Sequence, residues 1–207
     1  MEHPALEKLT ALAREPEALE ASVAYLADKM RFLRKNEKVL ICFAKDKPGS
    51  HGELMEKAVL RCGANPVIWG PDHRWKTLLQ QAFFSRATAI IGPPQVVLGL
   101  TKLKKYNQVP LYIRKVVTAG YPCTEWMIDG IAAGFDCRAG GCFTLGETGI
   151  VAGFACGHCL GIHLRQDTYG VDIVNDEGGS LYPGELGEMV LYSKADPRLR
   201  VPMGEFA

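Results

Sequence analysis

Apolar residues recur every three or four positions along the first part of the chain. Leu6, Leu9 and Leu12 have this spacing, and so do Val23 and Leu26 further along. The spacing predicts helix from about residue 5 to residue 33. A proline at position 16 fits the first turn of a helix but not its interior, so we predict two helices that are separated there.

Short apolar runs then alternate with helix-like stretches. We predict strands at 39–43, 66–69, 89–92 and 115–120, and helices at about 53–61, 75–85, 96–105 and 124–133. Ser50 is the expected N-cap of the first of these helices. Such alternation predicts an α/β fold, a parallel sheet with helices on both faces. In these sheets ligands bind at the carboxyl ends of the strands.

The pattern changes after Gly149. Residues 162–164, 169–174 and 187–192 read as strands, and the polar, glycine-containing stretch 175–179 reads as a turn. We therefore predict a small antiparallel β subdomain after the parallel sheet. The predicted divisions are N-terminal helices at 1–34, an α/β sheet subdomain at 35–149 and a β-rich subdomain at 150–207.

Composition and charge exclude several classes of protein. With 207 residues and 47% hydrophobic content, the chain can bury one core with a small satellite. The net charge of +1, with no basic run, argues against nucleic acid as a partner, and we read Lys102, Lys104 and Lys105 as a solvated helix face. No apolar run has membrane-spanning length and the N-terminus lacks a signal region, so a cytoplasmic location without a membrane partner is expected.

One segment offers chemistry for a hard cation. The run Phe143-Thr144-Leu145-Gly146-Glu147 ends on a carboxylate next to a glycine. A carboxylate at such a turn can hold Mg²⁺ and, through it, phosphate oxygens.

A second segment offers chemistry for zinc. Cys156, His158, Cys159 and His163 fall within eight positions, and nearby glycines permit a tight loop. Seven cysteines form an odd count, which in a reducing compartment indicates thiols or metal ligands rather than disulfides. The alternative is a loop of reduced thiols that binds no metal.

Four motifs in a fixed order carry a resemblance to a known family. They are TAGYP at 118–122, FTLGETG at 143–149, PGELGEMVL at 183–191 and LRVPMGE at 199–205. Together, from about Leu33 onward, they resemble the adenylate-forming superfamily in its phenylacetate–CoA ligase-like branch. The resemblance implies a ligase that uses ATP to convert a carboxylate into an acyl-adenylate and then transfers the acyl group to CoA.

The resemblance also implies roles for individual residues. Glu147 would hold Mg-ATP and is the catalytic candidate. Residues implied to contact the nucleotide are Ala119, Gly120, Tyr121, Phe143, Thr144 and Glu205. The last of these would bind the ribose of ATP or AMP. Those implied to border the pocket for the acyl or aryl group are His51, Gly92 and Pro93. Cys156 and His163 resemble half of a structural zinc site, whose other ligands would be Cys159, His158 or cysteines elsewhere, such as Cys137 and Cys142.

Several departures from the family pattern bear on activity. Gly146 stands where the family has Thr or Ser, and Glu205 stands where it has Asp. No Ser/Thr/Gly-rich phosphate loop precedes Leu33, and no segment matches the C-terminal domain that carries the catalytic lysine. Backbone amides of such a loop hold phosphates, so its absence weakens the expectation of ATP binding.

These departures leave more than one function open. One is a truncated relative of an acyl- or aryl-CoA ligase that is incomplete as a catalyst on its own. The alternative is a non-catalytic module that binds nucleotide, acyl group or CoA, or that interacts with another protein with zinc as a stabiliser. Surface left uncovered by missing segments predicts a homo-oligomer or a partner subunit.

Overall fold

The computed structural model describes residues 4–69, 74–145, 148–155, 161–182 and 184–206, with residues 204–206 described as backbone only. The helices in this part of the chain are α1 (Pro4–Ala13), α2 (Pro16–Lys29), α3 (His51–Arg61), α4 (Trp75–Ser85), α5 (Pro94–Tyr106) and α6 (Glu125–Phe135). The strands are β1 (Lys38–Ile41), β2 (Asn65–Ile68), β3 (Ala89–Gly92), β4 (Lys115–Thr118), β5 (Arg138–Thr144), β6 (Val151–Phe154), β7 (His163–Leu164), β8 (Tyr169–Val174), β9 (Gly187–Ser193) and β10 (Arg200–Phe206). Among the described residues no helix combines the length and the apolar character needed to cross a membrane.

The larger sheet has seven strands in the order β2-β1-β3-β4-β5-β6-β7. Strands β1 to β5 run parallel, whereas β6 and β7 are antiparallel to their neighbours. Helices α2 and α3 pack on one face, and α4, α5 and α6 pack on the other. The predicted α/β class, with a parallel sheet between helices, is confirmed.

The order of the parallel strands reverses between β1 and β3. From β1 the chain crosses through α3 to β2 on one side, and then returns through α4 to β3 on the other side. The loops that follow β1 and β3 therefore lead to opposite faces of the sheet, and sheets of this order bind their ligands at such a point.

Local signals in the sequence explain how two helices begin. Pro16 occupies the first turn of α2, where its missing N–H group has no partner to lose. At α3 the Ser50 side chain accepts a hydrogen bond from the backbone N–H of Glu53, and a carboxylate oxygen of Glu53 accepts one from the N–H of Gly49 at 2.7 Å. This reciprocal cap fixes the start of α3 and confirms the predicted N-cap.

The smaller sheet has three antiparallel strands in the order β10-β9-β8. Its apolar side packs with α1 and with residues that follow β5, and this cluster contains Leu9, Leu145, Ile150, Leu191 and Val201. The predicted antiparallel unit is therefore present, and the turn at 175–179 is held by hydrogen bonds from the N–H groups of Glu177 and Gly179 to Asn175 Oδ1.

Prediction and structure differ on where residues 150–164 belong. The strand expected at 162–164 pairs with β6, and both strands extend the larger sheet, not the smaller one. The reason is that β6 returns directly beside β5 after the turn at Gly149, so its backbone groups are paired there. Whether position 149 divides two subdomains stays a prediction.

Candidate functional site

The candidate site lies at the carboxyl edge of the parallel strands. Four loops meet this edge: the one after β1 that leads to α3, the one after β3 that leads to α5, the one after β4 that contains Ala119 to Tyr121, and the one after β5 that leads to Gly149. Two of the predicted groups, the nucleotide residues and the pocket residues, have members on these loops or at the ends of the adjoining elements. A sheet of this order binds its ligands at this edge.

Phe43 is at the centre of this edge, although its role was not predicted from the sequence. Its ring stacks on the ring of His51, with 5.2 Å between the centroids and 28° between the planes. On its other side it lies so close to Gly120 that a Cβ on that glycine would be 2.9 Å from Cε1 of Phe43. Since β3 lies between β1 and β4, the ring spans the end of β3.

The end of β1 explains why the sequence does not identify Phe43. The apolar run 39–43 predicts one strand, which would make Phe43 an ordinary strand residue. The strand ends at Ile41, so Phe43 is the second residue after it and projects at the edge. The apolar run continues past the end of the strand and therefore does not reveal this placement.

A hydrogen bond joins the two loops predicted to contact the nucleotide. The backbone N–H of Gly120 donates to Thr144 Oγ1 at 2.7 Å, and Thr144 is only 6% exposed. Gly120 has φ +83°, a conformation that favours glycine. The bond ties the end of β5 to the loop after β4, so it fixes the position of Tyr121.

The other residues predicted on these loops differ in exposure. Tyr121 is 51% exposed, whereas Ala119 is buried at the end of β4. Phe143 is half-buried and packs against the cluster formed by α1 and the smaller sheet. Of these three side chains, Tyr121 is therefore the one that offers an aromatic face to a ligand at this edge.

The loop after β1 also contacts the loop after β5. Both loops contain a glycine with positive φ, Gly49 at +74° and Gly149 at +85°. A Cβ on Gly149 would lie 2.8 Å from the carbonyl oxygen of Gly49, so only glycine fits there. The side chain of Arg14, from the end of α1, packs against both glycines. The N-terminal helices thus reach the segment 143–149.

The predicted pocket residues are closely packed. His51 is the first residue of α3 and is 3% exposed, and Pro93 is buried as well. Gly92 lies against β1, because a Cβ there would be 2.7 Å from Cβ of Cys42. The cavity at this point measures about 20 Å³ and is lined by Phe43, Ala44, Asp46, Ser50 and His51.

The thiol of Cys42 is not activated as a nucleophile at this edge. Burial raises the pKa of its thiol to about 12, so the thiol stays protonated at neutral pH. The carboxyl group of Glu53 has a lowered pKa, mainly because Lys57 donates a hydrogen bond to it at 2.7 Å. Its charge is therefore used in capping and pairing at the start of α3.

A larger groove lies at the opposite edge of the sheet. It measures about 590 Å³ and is formed where α5 and α6 end. Its lining includes Thr101, Lys102, Lys104, Lys105, Gln108 and Gly134, none of which was predicted as a site residue. The amine of Lys104 already donates to the carbonyl oxygen of Gly134 at 3.1 Å, so this lysine caps α6.

Part of the predicted chemistry falls outside the described residues. These positions are Glu147, Cys156, His158 and Cys159. Glu205 is described only as backbone, in β10 opposite Glu188 of β9. His163 is exposed on β7. Within the part of the chain that the structure describes, no three His, Cys, Asp or Glu side chains come together as a metal site.

Comparison with known proteins gives matches in structure but not in sequence. No protein-family model matches the chain, and no curated protein matches it. A 2-hydroxyisobutyryl-CoA ligase in complex with 2-HIB-AMP and CoA superposes with a TM-score of 0.69 at 14% identity, over 90% of this chain and 46% of the ligase. A benzoate CoA ligase from Burkholderia xenovorans LB400 gives 0.60 at 14% identity, over 83% and 37%.

An anthranilate CoA ligase in complex with anthranoyl-AMP gives a TM-score of 0.60 at 16% identity, over 84% of this chain and 35% of the ligase. The chain thus spans less than half the length of each of these structures. At such identities the similarity establishes the fold and leaves the activity to be argued from the site. The chain therefore shares its fold with part of these CoA ligases.

Proposed function

We propose that the carboxyl edge of this sheet binds the adenylate of a carboxylate-activating reaction, as AMP or as acyl-AMP. The observation that supports this most directly is the hydrogen bond between Gly120 and Thr144. This bond joins the loop after β4 to the end of β5, the two segments that the family resemblance assigns to the nucleotide. Both lie at the edge where sheets of this order bind ligands. Tyr121 stacks on adenine in this proposal, because its ring is half exposed beside that bond.

The reaction proposed for the complete protein is that of an AMP-forming acyl- or aryl-CoA ligase. A carboxylate and ATP would give an acyl-adenylate, which would then pass its acyl group to CoA. Glu147 would bind Mg²⁺, and Glu205 would bind the ribose. Two of the similar ligases contain AMP conjugates, and one of these two contains CoA as well. The order of motifs supports the phenylacetate–CoA ligase-like branch.

Adenylate binding, rather than attack on the α-phosphate, is the step proposed for residues 1–207. No Ser/Thr/Gly-rich phosphate loop precedes Leu33, and Gly146 supplies no hydroxyl where the family has one. The oxygen of Thr144 already accepts a hydrogen bond from the protein backbone. These observations favour a second candidate function, a module that binds nucleotide without activating a carboxylate.

Calorimetric titration with AMP, Mg-ATP and CoA tests the proposal. We expect saturable binding of AMP that Tyr121→Ala weakens by roughly 5-fold or more, the amount by which stacking of a base on an aromatic ring contributes to binding. Tyr106→Ala is the matched control, because Tyr106 is 87% exposed at the end of α5 on the opposite edge. Absence of AMP binding, or an equal loss in both variants, contradicts the proposal.

A pyrophosphate-exchange assay separates the two candidate functions. Carboxylate-dependent exchange of label into ATP indicates an active ligase, and Glu147→Gln should abolish it. AMP binding without exchange indicates the non-catalytic module.

A further inference from the structure

We propose that Phe43 limits the acyl group that this site accepts, so that short aliphatic acyl-adenylates bind and aromatic ones are excluded. This inference rests on the proposed function, since it concerns the acyl end of the same ligand. It assigns a specificity role to a residue that neither the motifs nor the comparisons single out.

The position of Phe43 along the edge is the first part of the argument. The ring lies between Gly120, beside the Tyr121 proposed to stack on adenine, and His51, which borders the predicted acyl pocket. An acyl group that extends from a nucleotide at the end of β4 towards the end of β1 therefore meets this ring. The ring separates the nucleotide side of the edge from the predicted pocket.

The space beyond the ring is the second part. The cavity there measures about 20 Å³. A void of this size holds roughly one water molecule, whereas cavities that accept benzene measure on the order of 150 Å³. Its lining is also partly polar, with Asp46, Ser50 and His51. An aromatic acyl group cannot enter unless the Phe43 ring leaves.

The ring is held from both sides, which is the third part. The stacked His51 begins α3, and that helix start is fixed by the reciprocal hydrogen bonds of Ser50, Glu53 and Gly49. On the other side the ring contacts the backbone of Gly120, which is fixed in turn by Thr144. Hydrogen bonds to backbone N–H groups therefore fix both segments that the half-buried ring contacts.

Binding of stable acyl-adenylate analogues tests the inference. The probes are 5′-O-sulfamoyladenosine without an acyl group, its N-acetyl derivative and its N-benzoyl derivative. We expect the wild-type protein to bind the acetyl compound at least about 10-fold more tightly than the benzoyl compound, since pockets that exclude a group by size discriminate to this extent or more. Phe43→Ala should reduce this preference to less than about 3-fold or reverse it, since the vacated space admits the ring of the ligand.

Two further variants control for folding and for general effects. Phe43→Leu removes less volume and should give an intermediate preference with less risk to folding. Phe83→Ala, on α4, removes an exposed phenylalanine that contacts Phe84 and should keep the wild-type preference.

The outcomes separate this inference from the proposed function. Equal binding of the acetyl and benzoyl compounds by the wild-type protein overturns the inference, and so does a wild-type preference that persists in Phe43→Ala. Binding of the unacylated compound in either case leaves the proposed function standing. If the wild-type protein binds none of the three compounds, the proposed function fails and the inference fails with it.

Discussion

The backbone amide of Gly120 donates a buried hydrogen bond of 2.7 Å to the hydroxyl of Thr144, which joins the loop after β4 to the end of β5 at the carboxyl edge of the sheet. The family resemblance gives position 144 to the nucleotide. In this chain the oxygen of Thr144 also accepts a hydrogen bond from the loop after β4, at the residue before Tyr121.

Replacement of Thr144 by valine tests this bond. Thr144→Val keeps the shape of the side chain but leaves the N–H of Gly120 buried without its acceptor. We expect a loss of about 1–3 kcal/mol in the free energy of unfolding, the usual cost of such a group. Thr144→Ser keeps the oxygen and should lose less than Thr144→Val. Chemical denaturation measures both, and an unchanged free energy of unfolding in Thr144→Val would show that the hydroxyl contributes nothing.

The contact between Gly49 and Gly149 makes a second prediction. Gly149→Ala places a methyl group at positive φ and against the carbonyl oxygen of Gly49. We expect destabilisation of about 2–4 kcal/mol, from backbone strain and steric overlap together.

Gly178→Ala is a matched control for that substitution. Gly178 also has positive φ, +80°, but a Cβ there meets no atom within 4 Å. It should cost about 1–2 kcal/mol, the strain alone. The difference between the two variants in thermal or chemical denaturation isolates the contact between the loops, and no difference would mean that the loops separate freely in solution.

A half-buried ion pair between Glu37 and Lys115 at the amino edge predicts how stability depends on pH. Burial by itself raises the pKa of the Glu37 carboxyl group, but hydrogen bonds from Lys115, from the N–H of Arg34 and from Thr88 outweigh burial and lower it below the ordinary value of 4.5. Lys115 Nζ also donates to the carbonyl oxygen of Phe32 at 2.9 Å. The carboxylate thus ties β1 to β4 and to the segment after α2.

The direction in which stability changes with pH follows from this lowered pKa. The stabilisation from Glu37 is present above pH 4.5 and is lost as the pH falls through the lower pKa of the folded state. Glu37→Gln should reduce the free energy of unfolding at pH 7 by about 1–3 kcal/mol and flatten its fall below pH 4.5. Glu177→Gln, in an exposed turn, should leave the whole curve unchanged. If the free energy of unfolding falls below pH 4.5 to the same extent in Glu37→Gln and in the wild type, Glu37 does not have this role.

Particular residues show what sequence reasoning can and cannot recover here. The four β-α repeats, the break at Pro16 and the cap at Ser50 are local signals, and the structure confirms them. The sheet order, the pairing of β7 with β6 and the contact between Gly49 and Gly149 depend on segments far apart in the chain. No local pattern encodes such pairing, and strands of two to four residues give little periodicity to read.

Phe43 illustrates the same limit within the site. Its residue type was visible, but its role depends on β1 ending two residues earlier and on glycine at position 120. The role of Tyr121 remains a proposal because exposure alone does not identify a ligand. Glu147 keeps its assignment as a prediction from the motif.

Zinc binding and self-association also remain predictions. Elemental analysis of protein purified without added metal tests the first, and a Cys156→Ser, Cys159→Ser double variant should lose the metal if these residues bind it. One zinc per chain in the wild type and none in the variant is the expected result. Metal-free wild-type protein would show that these residues are reduced thiols. Light scattering measures the oligomeric state directly.

The central claim is that the carboxyl edge of the sheet binds an adenylate, and amide hydrogen exchange with and without AMP tests it most directly. We predict that AMP slows exchange in the loop after β4, around residues 119–123, and in the segment from 144 to 150. Residues 101–110, which line the groove at the opposite edge, should exchange at the same rate with and without AMP. Protection confined to that groove, or no protection anywhere at saturating AMP, would contradict the claim.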